Sequence, residues 1–296
     1  MKGKYIDEYA SFLRSKALFK RSVRIVFDCS NGYAGDVIKA TLKGVLNIKP
    51  IYLNAKPDGD FPGHGPNPMI PEAMATLSDE VIKNNADMGV AFDGDADRAI
   101  FVDDKGREID PDMIFKFYAE KKKIAAMVAD VRTGWAIRER TKIRLVISKV
   151  GHYFIKKEMI ANKIDFGAER AGHYYFKIKG AYMDGAILMA LSMASAISSM
   201  GSISAWIDSQ EQHRIPETNF SVGDKDKVIS DIRRNYSRKK PKISELDGLS
   251  MEFKDFWFNI RASSNDPVIR LNLEARSEDV LQKELRVLES LIQGKR

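Results

Sequence analysis

Three aspartates alternate with the two smallest side chains in Asp93-Gly94-Asp95-Ala96-Asp97-Arg98, between two short apolar runs, residues 88–92 and 99–102. Few features constrain a chain more. Gly and Ala let the backbone curl so that the three carboxylates converge, and like charges so close repel unless a cation compensates them. An all-oxygen donor set points to Mg²⁺ or Ca²⁺, and Mg²⁺ takes bonds of roughly 2.1 Å in octahedral geometry. Three carboxylates leave positions open for water or a phosphate oxygen, and Arg98 is placed to bind phosphate bidentately. A calcium-binding EF-hand also opens D-x-D-x-D. Its sixth position requires Gly, where this chain has Arg98, and its flanks are helices rather than strands.

The surrounding pattern is α/β. Residues 5–18 read as a helix and 23–27 as a strand that turns through Asp28-Cys29-Ser30-Asn31-Gly32 into a helix. Residues 51–53 read as a strand, 57–71 as a Pro- and Gly-rich loop and 77–85 as a helix. The same grammar repeats: helices over 113–123, 135–140, 153–161 and 184–200, and strands over 124–131, 145–148 and 165–169. The uncharged stretch 185–207 is long enough to span a bilayer, but serines interrupt it and Gly201 punctuates it. A buried helix ending near Gly201 and followed by a strand is the expectation. A polar linker over 208–218 precedes an α+β unit, in which strands 256–261 and 268–275 flank a polar loop. A last helix is capped by Ser277 and has Leu281, Leu285, Leu288 and Ile292 on its apolar face. The expected domains are 1–109, with the metal loop; 110–212, a second α/β domain; and 213–296, smaller and α+β.

A net charge of +7 suits an anionic ligand. The basic clusters at 121–123 and 238–240 are short and far apart, which argues against nucleic acid. A lone cysteine, Cys29, and a charged N-terminus without a signal-like apolar run lead to the expectation of a cytoplasmic protein with no membrane span.

The acidic hexapeptide resembles the D-G-D-[GA]-D-R metal loop of the α-D-phosphohexomutases, the phosphoglucomutase/phosphomannomutase family. Residues 28–32 and Phe61-Pro62-Gly63-His64-Gly65-Pro66-Asn67-Pro68 also resemble segments of the domain that carries that loop. Ser148-Lys149-Val150-Gly151-His152 is similar to the family's T-K-V-G segment. Residues 167–173 resemble its sugar loop, G-E-x-S-G-H, with Ala171 in place of the serine. Residues 261–270 resemble its phosphate loop, R-A-S-N-T-E-P-x-x-R, with Ser264, Asn265 and Asp266 substituted.

The resemblance implies two tandem three-layer α/β/α domains followed by a smaller α+β domain. It implies Mg²⁺ on Asp93, Asp95 and Asp97, and hexose-phosphate binding by Lys149, Glu169, His173, Arg261, Ser263 and Arg270, with Arg98 and His173 as catalytic groups. In the family a phosphoserine in a T-A-S-H-N-P loop of a first domain donates the phosphoryl group. These 296 residues contain no Ser-His pair. The expectation is an isomerase body, inactive alone, whose phosphoserine domain is supplied in trans by a separate polypeptide. The substitutions at Ala171, Ser264 and Asn265 keep a non-catalytic phosphosugar-binding or regulatory protein open, and the aspartates keep an Mg²⁺-dependent sugar-phosphate hydrolase open.

Overall fold

The computed structural model describes residues 2–263 and 266–294, which separate into two compact units. Unit 1 holds the residues through Ala129, then Trp135–Val146 and Ile155–Gln210. Unit 2 holds Asp130–Gly134, Ile147–Phe154 and the residues from Glu211 onward.

Unit 1 opens with α1 (Lys2–Arg14), β1 (Val23–Asp28), α2 (Ala34–Leu42), β2 (Ile48–Leu53), α3 (Pro71–Lys83), β3 (Met88–Phe92) and β4 (Ala99–Val102). The sheet order is β2-β1-β3-β4, with β1 parallel to β2 and β3, and β4 antiparallel to β3. Helical crossovers are what parallel neighbours require. Alternation along the strands then makes three layers. Ile25, Phe27, Val90, Phe92 and Phe101 face one core with Val37 and Ile38 of α2, while Val26, Ala91, Ile100 and Val102 meet Met74, Leu77 and Val81 of α3. Both faces are covered, so β3 and β4 are apolar throughout, as buried strands must be.

The grammar then repeats in α4 (Pro111–Lys122), β5 (Ala126–Asp130), α5 (Trp135–Arg138), β6 (Arg144–Ser148), α6 (His152–Asn162), β7 (Phe166–Ala168), β8 (Tyr174–Ile178), β9 (Ala181–Asp184), α7 (Ala186–Ile197) and α8 (Ile203–Asp208). The second sheet runs β6-β5-β7-β8-β9, the strand order of the first with one strand added. Its two faces pack against Ile155 and Met159 of α6 and against a core shared with the first sheet. That shared core runs past residue 109: Phe101 and Phe115 both meet Tyr174 edge-on, each with centroids 6.0 Å away. Asp110 starts α4 by accepting a hydrogen bond from the Asp112 amide at 2.8 Å.

Two expectations are corrected. The segment after Gly201 is helix α8 and not a strand: Ser202 Oγ accepts from the Ala205 amide at 3.0 Å, and the Asp104 carboxylate accepts from the Ser204 amide at 2.8 Å. Residues 174–184 form the hairpin β8–β9, with Tyr175 opposite Asp184, so α7 begins only at Ala186. No described helix is long and apolar enough to cross a membrane.

Unit 2 contains β10 (His213–Arg214), β11 (Thr218–Ser221), α9 (Lys225–Ser237), β12 (Lys242–Ser244), β13 (Leu249–Glu252), β14 (Phe256–Ala262), β15 (Val268–Ala275) and α10 (Glu278–Ile292). The strands order as β10-β15-β14-β13-β12, with β11 also on β15. Phe256, Phe258, Ile260, Ile269, Leu271 and Leu273 pack against Ile232 and Tyr236 of α9 and Leu281, Leu288 and Ile292 of α10. The period of two then places Trp257, Asn259, Arg261, Arg270, Asn272 and Glu274 on the opposite face. Ser277 caps α10, accepting from the Val280 amide at 3.4 Å.

Candidate active-site elements

Asp93 organises the acidic loop. Its Oδ1 accepts the amides of Asp97 and Arg98 at 3.1 Å each, and its Oδ2 accepts Arg98 Nε at 2.6 Å. Ala96 adopts a left-handed φ of 61°, a conformation that costs a residue with a Cβ roughly 1–2 kcal/mol. One oxygen from each of Asp93, Asp95 and Asp97 lies within 4.8 Å of the others. The electrostatic consequence falls on Asp97. Burial, contact with Asp93 and the charges of Asp93, Asp95 and Asp184 push its carboxyl up to about 7. An all-oxygen trio under such mutual repulsion is the donor set of a hard divalent cation, so these residues fit Mg²⁺. The loop opens into a cavity of about 380 Å³ lined by Phe61, Pro66, Asn67, Asp93, Gly94, Asp95 and Arg98. Arg98, expected to reach phosphate, is paired with Asp93 here.

The exit of this loop is stitched to the loop of residues 167–173. Arg98 and His173 form a backbone bridge, and the Ala99 amide donates to Gly172 O at 2.9 Å. The loop of residues 167–173 closes on itself through Gly172 N to Glu169 O at 3.0 Å and Glu169 N to His173 O at 2.9 Å. The Glu169 side chain is buried, and Tyr175 Oη donates to its Oε2 at 2.5 Å. His173 stacks on Tyr175, and its Nδ1 stands 3.6 Å from Asp97 Oδ2. Burial, helped by the Arg98 charge, holds the imidazole below its usual range, so it is neutral near pH 7 and can accept a proton. Lys156 donates to Asp184 at 2.5 Å and lies over the Tyr175 ring. Asp97, His173 and Asp184 also bring three ligand atoms within 4.8 Å. Unit 1 therefore brings together Asp93, Asp95, Asp97, Arg98, Glu169 and His173. Arg170, a departure from the family loop, is anchored to Asp110 and Asp112.

In unit 2, Arg261 and Arg270 are cross-strand partners. Like charges directly opposite one another destabilise a sheet, so this pair calls for negative charge. Asp247 and Glu217 supply part of it: Asp247 Oδ2 lies 3.5 Å from Arg261 Nη1, and Glu217 Oε1 lies 4.0 Å from Arg270 Nη1. Ser263 is buried, with Oγ 3.2 Å from Asp266 Oδ2, and Lys225 Nζ donates to Ser263 O at 2.8 Å. Ser264 and Asn265 lie outside the described residues. Lys149 is exposed, beside the Phe154 ring, and the next amide, Val150 N, donates to Asp247 Oδ2 at 2.9 Å. Asp247 thus ties the lysine loop to the arginine pair.

Sequence reasoning missed Tyr175, Asp184, Lys156, Glu217 and Asp247. Tyr175 carried a usable signal, because it stands two residues from His173 in an extended run and shares its face. The others meet their partners only through strand register or long-range packing.

Comparison with known proteins places the chain in a family. Residues 3–106 match the family model described as phosphoglucomutase/phosphomannomutase, alpha/beta/alpha domain II, and residues 113–213 match that of domain III. A phosphomannomutase from Escherichia coli is 33% identical over 94% of this chain and 63% of its own length. One from Methanocaldococcus jannaschii is 32% identical over 99% and 66%. The chain thus spans just under two thirds of these relatives. A phosphoglucomutase/phosphomannomutase family protein from Burkholderia thailandensis superposes with a TM-score of 0.83 at 25% identity, covering 98% of this chain and 65% of that one. An Aspergillus fumigatus N-acetylphosphoglucosamine mutase, solved with GlcNAc-6P and magnesium, shares the fold with a TM-score of 0.66 at 15% identity, covering 97% and 69%. With both domain models matched across more than half its length and its fold shared throughout, this chain belongs to the phosphoglucomutase/phosphomannomutase family of α-D-phosphohexomutases.

Proposed function

We propose that this chain forms the metal-, sugar- and phosphate-binding body of a phosphohexomutase acting on hexose phosphates with Mg²⁺. The observation that carries the reading is the carboxylate trio, with Asp97 pushed up to about 7, stitched by backbone hydrogen bonds to the loop bearing Glu169 and His173. Asp93, Asp95 and Asp97 would hold the ion, which when bound supplies positive charge to a phosphoryl group in transfer. Glu169, fixed by Tyr175, accepts hydrogen bonds from sugar hydroxyls, and neutral His173 takes or returns a proton at an imidazole nitrogen. In unit 2, Arg261, Ser263 and Arg270 grip a phosphate dianion and Lys149 adds a point charge. Arg98, paired with Asp93, positions that carboxylate beside the phosphoryl group. The phosphoryl donor is a phosphoserine domain outside these residues, on this polypeptide or another. The mannose-directed relatives and the magnesium-bound sugar-phosphate complex of the fungal enzyme support the ligand class.

Calorimetric titration of mannose 1-phosphate and glucose 1-phosphate, with Mg²⁺ present, into wild type and Arg261→Ala tests the reading. Binding that requires Arg261 is expected, with mutase turnover only when a phosphoserine domain is added. Absence of binding at millimolar ligand would sink it.

A further inference from the structure

Two stretches conspicuous in the sequence, residues 28–32 and 61–68, have no part in the roles above. In the structure they form one brace beside the acidic loop, built on a buried ion pair. Asp28 is fully buried at the end of β1, and His64, its side chain 6% exposed, places Nε2 3.0 Å from Asp28 Oδ2. The other Asp28 oxygen accepts from the Ser30 amide and from Asn54 Nδ2, each at 3.0 Å. Asn31 adds a second tether, its Oδ1 accepting from Gly63 N at 3.1 Å and its Nδ2 donating to Lys56 O at 3.1 Å. His64 Nδ1 has no hydrogen-bond partner among the described residues, so Nε2 alone pins this side chain.

The backbone here is strained. Ser30, Asn31, Asn54 and Phe61 take left-handed φ values of 47°, 53°, 48° and 48°. Such conformations cost free energy and persist only where the surroundings over-determine them. The strained segments press on the acidic loop at three points. Ser30 Oγ donates to Phe92 O at 2.5 Å, Gly94 N donates to Pro66 O at 3.0 Å, and the Phe61 ring lies 3.0 Å from where a side chain on Gly94 would start.

We propose that the His64–Asp28 pair is a positioning device for the metal loop: it clamps residues 61–68 against Gly94 and so sets the convergence of Asp93, Asp95 and Asp97 on a cation. Neither residue belongs to the carboxylate trio that would hold the ion. The proposal rests on the reading of that trio as a metal site. Outer partners of ligating groups commonly alter metal affinity by about 10- to 100-fold.

The test uses Mn²⁺ as probe, by calorimetry and electron paramagnetic resonance on the metal-free chain well below its melting temperature. His64→Phe keeps the bulk and loses the bond, whereas His64→Gln keeps an Nε2 donor. Asn31→Gly suits the left-handed backbone and removes only the second tether. Wild type should bind, His64→Phe and Asn31→Gly about tenfold or more weakly, and His64→Gln within about threefold of wild type. A merely structural role would lower the melting temperature and leave affinity unmoved, and that result overturns the proposal. If His64→Phe does not fold, Asp28→Asn, which weakens the same bond and keeps its shape, takes its place, and wild-type affinity in that variant overturns the proposal. If wild type binds no Mn²⁺, the metal reading falls and takes this proposal with it; binding unaffected by any variant removes this proposal alone.

Discussion

Tyr175 Oη donates to Glu169 Oε2 at 2.5 Å, with both side chains inside the core of the second sheet. A hydrogen bond to a charged acceptor contributes about 1.5–3 kcal/mol, and a buried carboxylate that loses one is costly. The phenol is itself held far above its usual range, by burial first and then by the Glu169 charge, so it remains a donor at any physiological pH. Tyr175→Phe should therefore lower the melting temperature by several degrees and weaken hexose-phosphate binding severalfold without altering Mn²⁺ affinity. Thermal melts and calorimetry separate the two effects. Unchanged hexose-phosphate affinity would mean that Glu169 does not depend on Tyr175 for its aim.

Asp97 sets a pH dependence with a definite sign. Its carboxyl has an ordinary value of 3.8 and is pushed up to about 7 in the folded chain. Between those values the metal-free folded state holds a proton that the unfolded state has released. This group's contribution to stability is therefore greatest below about pH 4 and declines as pH rises towards 7, levelling above it. A bound cation must displace that proton, so Mg²⁺ affinity should rise with pH up to about 7, with proton release on binding below it. Melts and titrations across this range should show both trends, and Asp97→Asn should abolish both.

Gly32 is where a single methyl reports on the metal loop. A Cβ at this position would stand 2.2 Å from the carbonyl oxygen of Gly94, and backbone cannot swing aside as a side-chain tip can. Gly32→Ala should cost about 1–3 kcal/mol as an overpacking substitution. It should also weaken Mn²⁺ binding, because the carbonyl it strikes lies between Asp93 and Asp95. A variant with wild-type affinity would show that the loop has slack.

These cases indicate what could be read in the sequence. The convergence of Asp93, Asp95 and Asp97 was legible because the carboxylates and the small residues between them sit in six consecutive positions. Ser277 and the face of Leu281, Leu288 and Ile292 were legible because caps and helical periodicity are local. Arg261 and Arg270 were visible as two cations flanking one polar loop, but their direct apposition follows from the β14–β15 register. The hairpin β8–β9 was hidden because Tyr174, Tyr175 and Phe176 are all buried, so the strand shows no alternation of polarity. With it went Tyr175 and Asp184, a cross-strand pair. Helix α8 went unread although Ser202 caps it locally, and the Asp104 carboxylate that also holds its first turn lies a hundred residues away in the chain. Glu217 carries no local signal at all.

Glu217 yields the last prediction. Its carboxylate receives Asn272 Nδ2 at 2.9 Å and Arg132 Nη1 at 3.3 Å and lies 4.0 Å from Arg270. Burial, the largest single influence, would raise its pKa. The Arg132 charge, the hydrogen bonds from Asn272 and Arg132 and the Arg261 charge together outweigh it, and the net shift is downward from 4.5. A depressed carboxylate stabilises the fold above its unfolded value and loses that contribution as pH falls through the folded one. Glu217→Gln should thus cost about 1.5–3 kcal/mol near neutrality, as the loss of hydrogen bonds to charged groups, and should flatten the melting curve's fall below about pH 4.5. The deficit should be repairable. Arg261 and Arg270 face each other across two strands, and a phosphate dianion can supply the charge the glutamine lacks. Saturating inorganic phosphate should raise the melting temperature of Glu217→Gln more than that of wild type, whereas equal increments would mean that phosphate does not bind at the arginine pair.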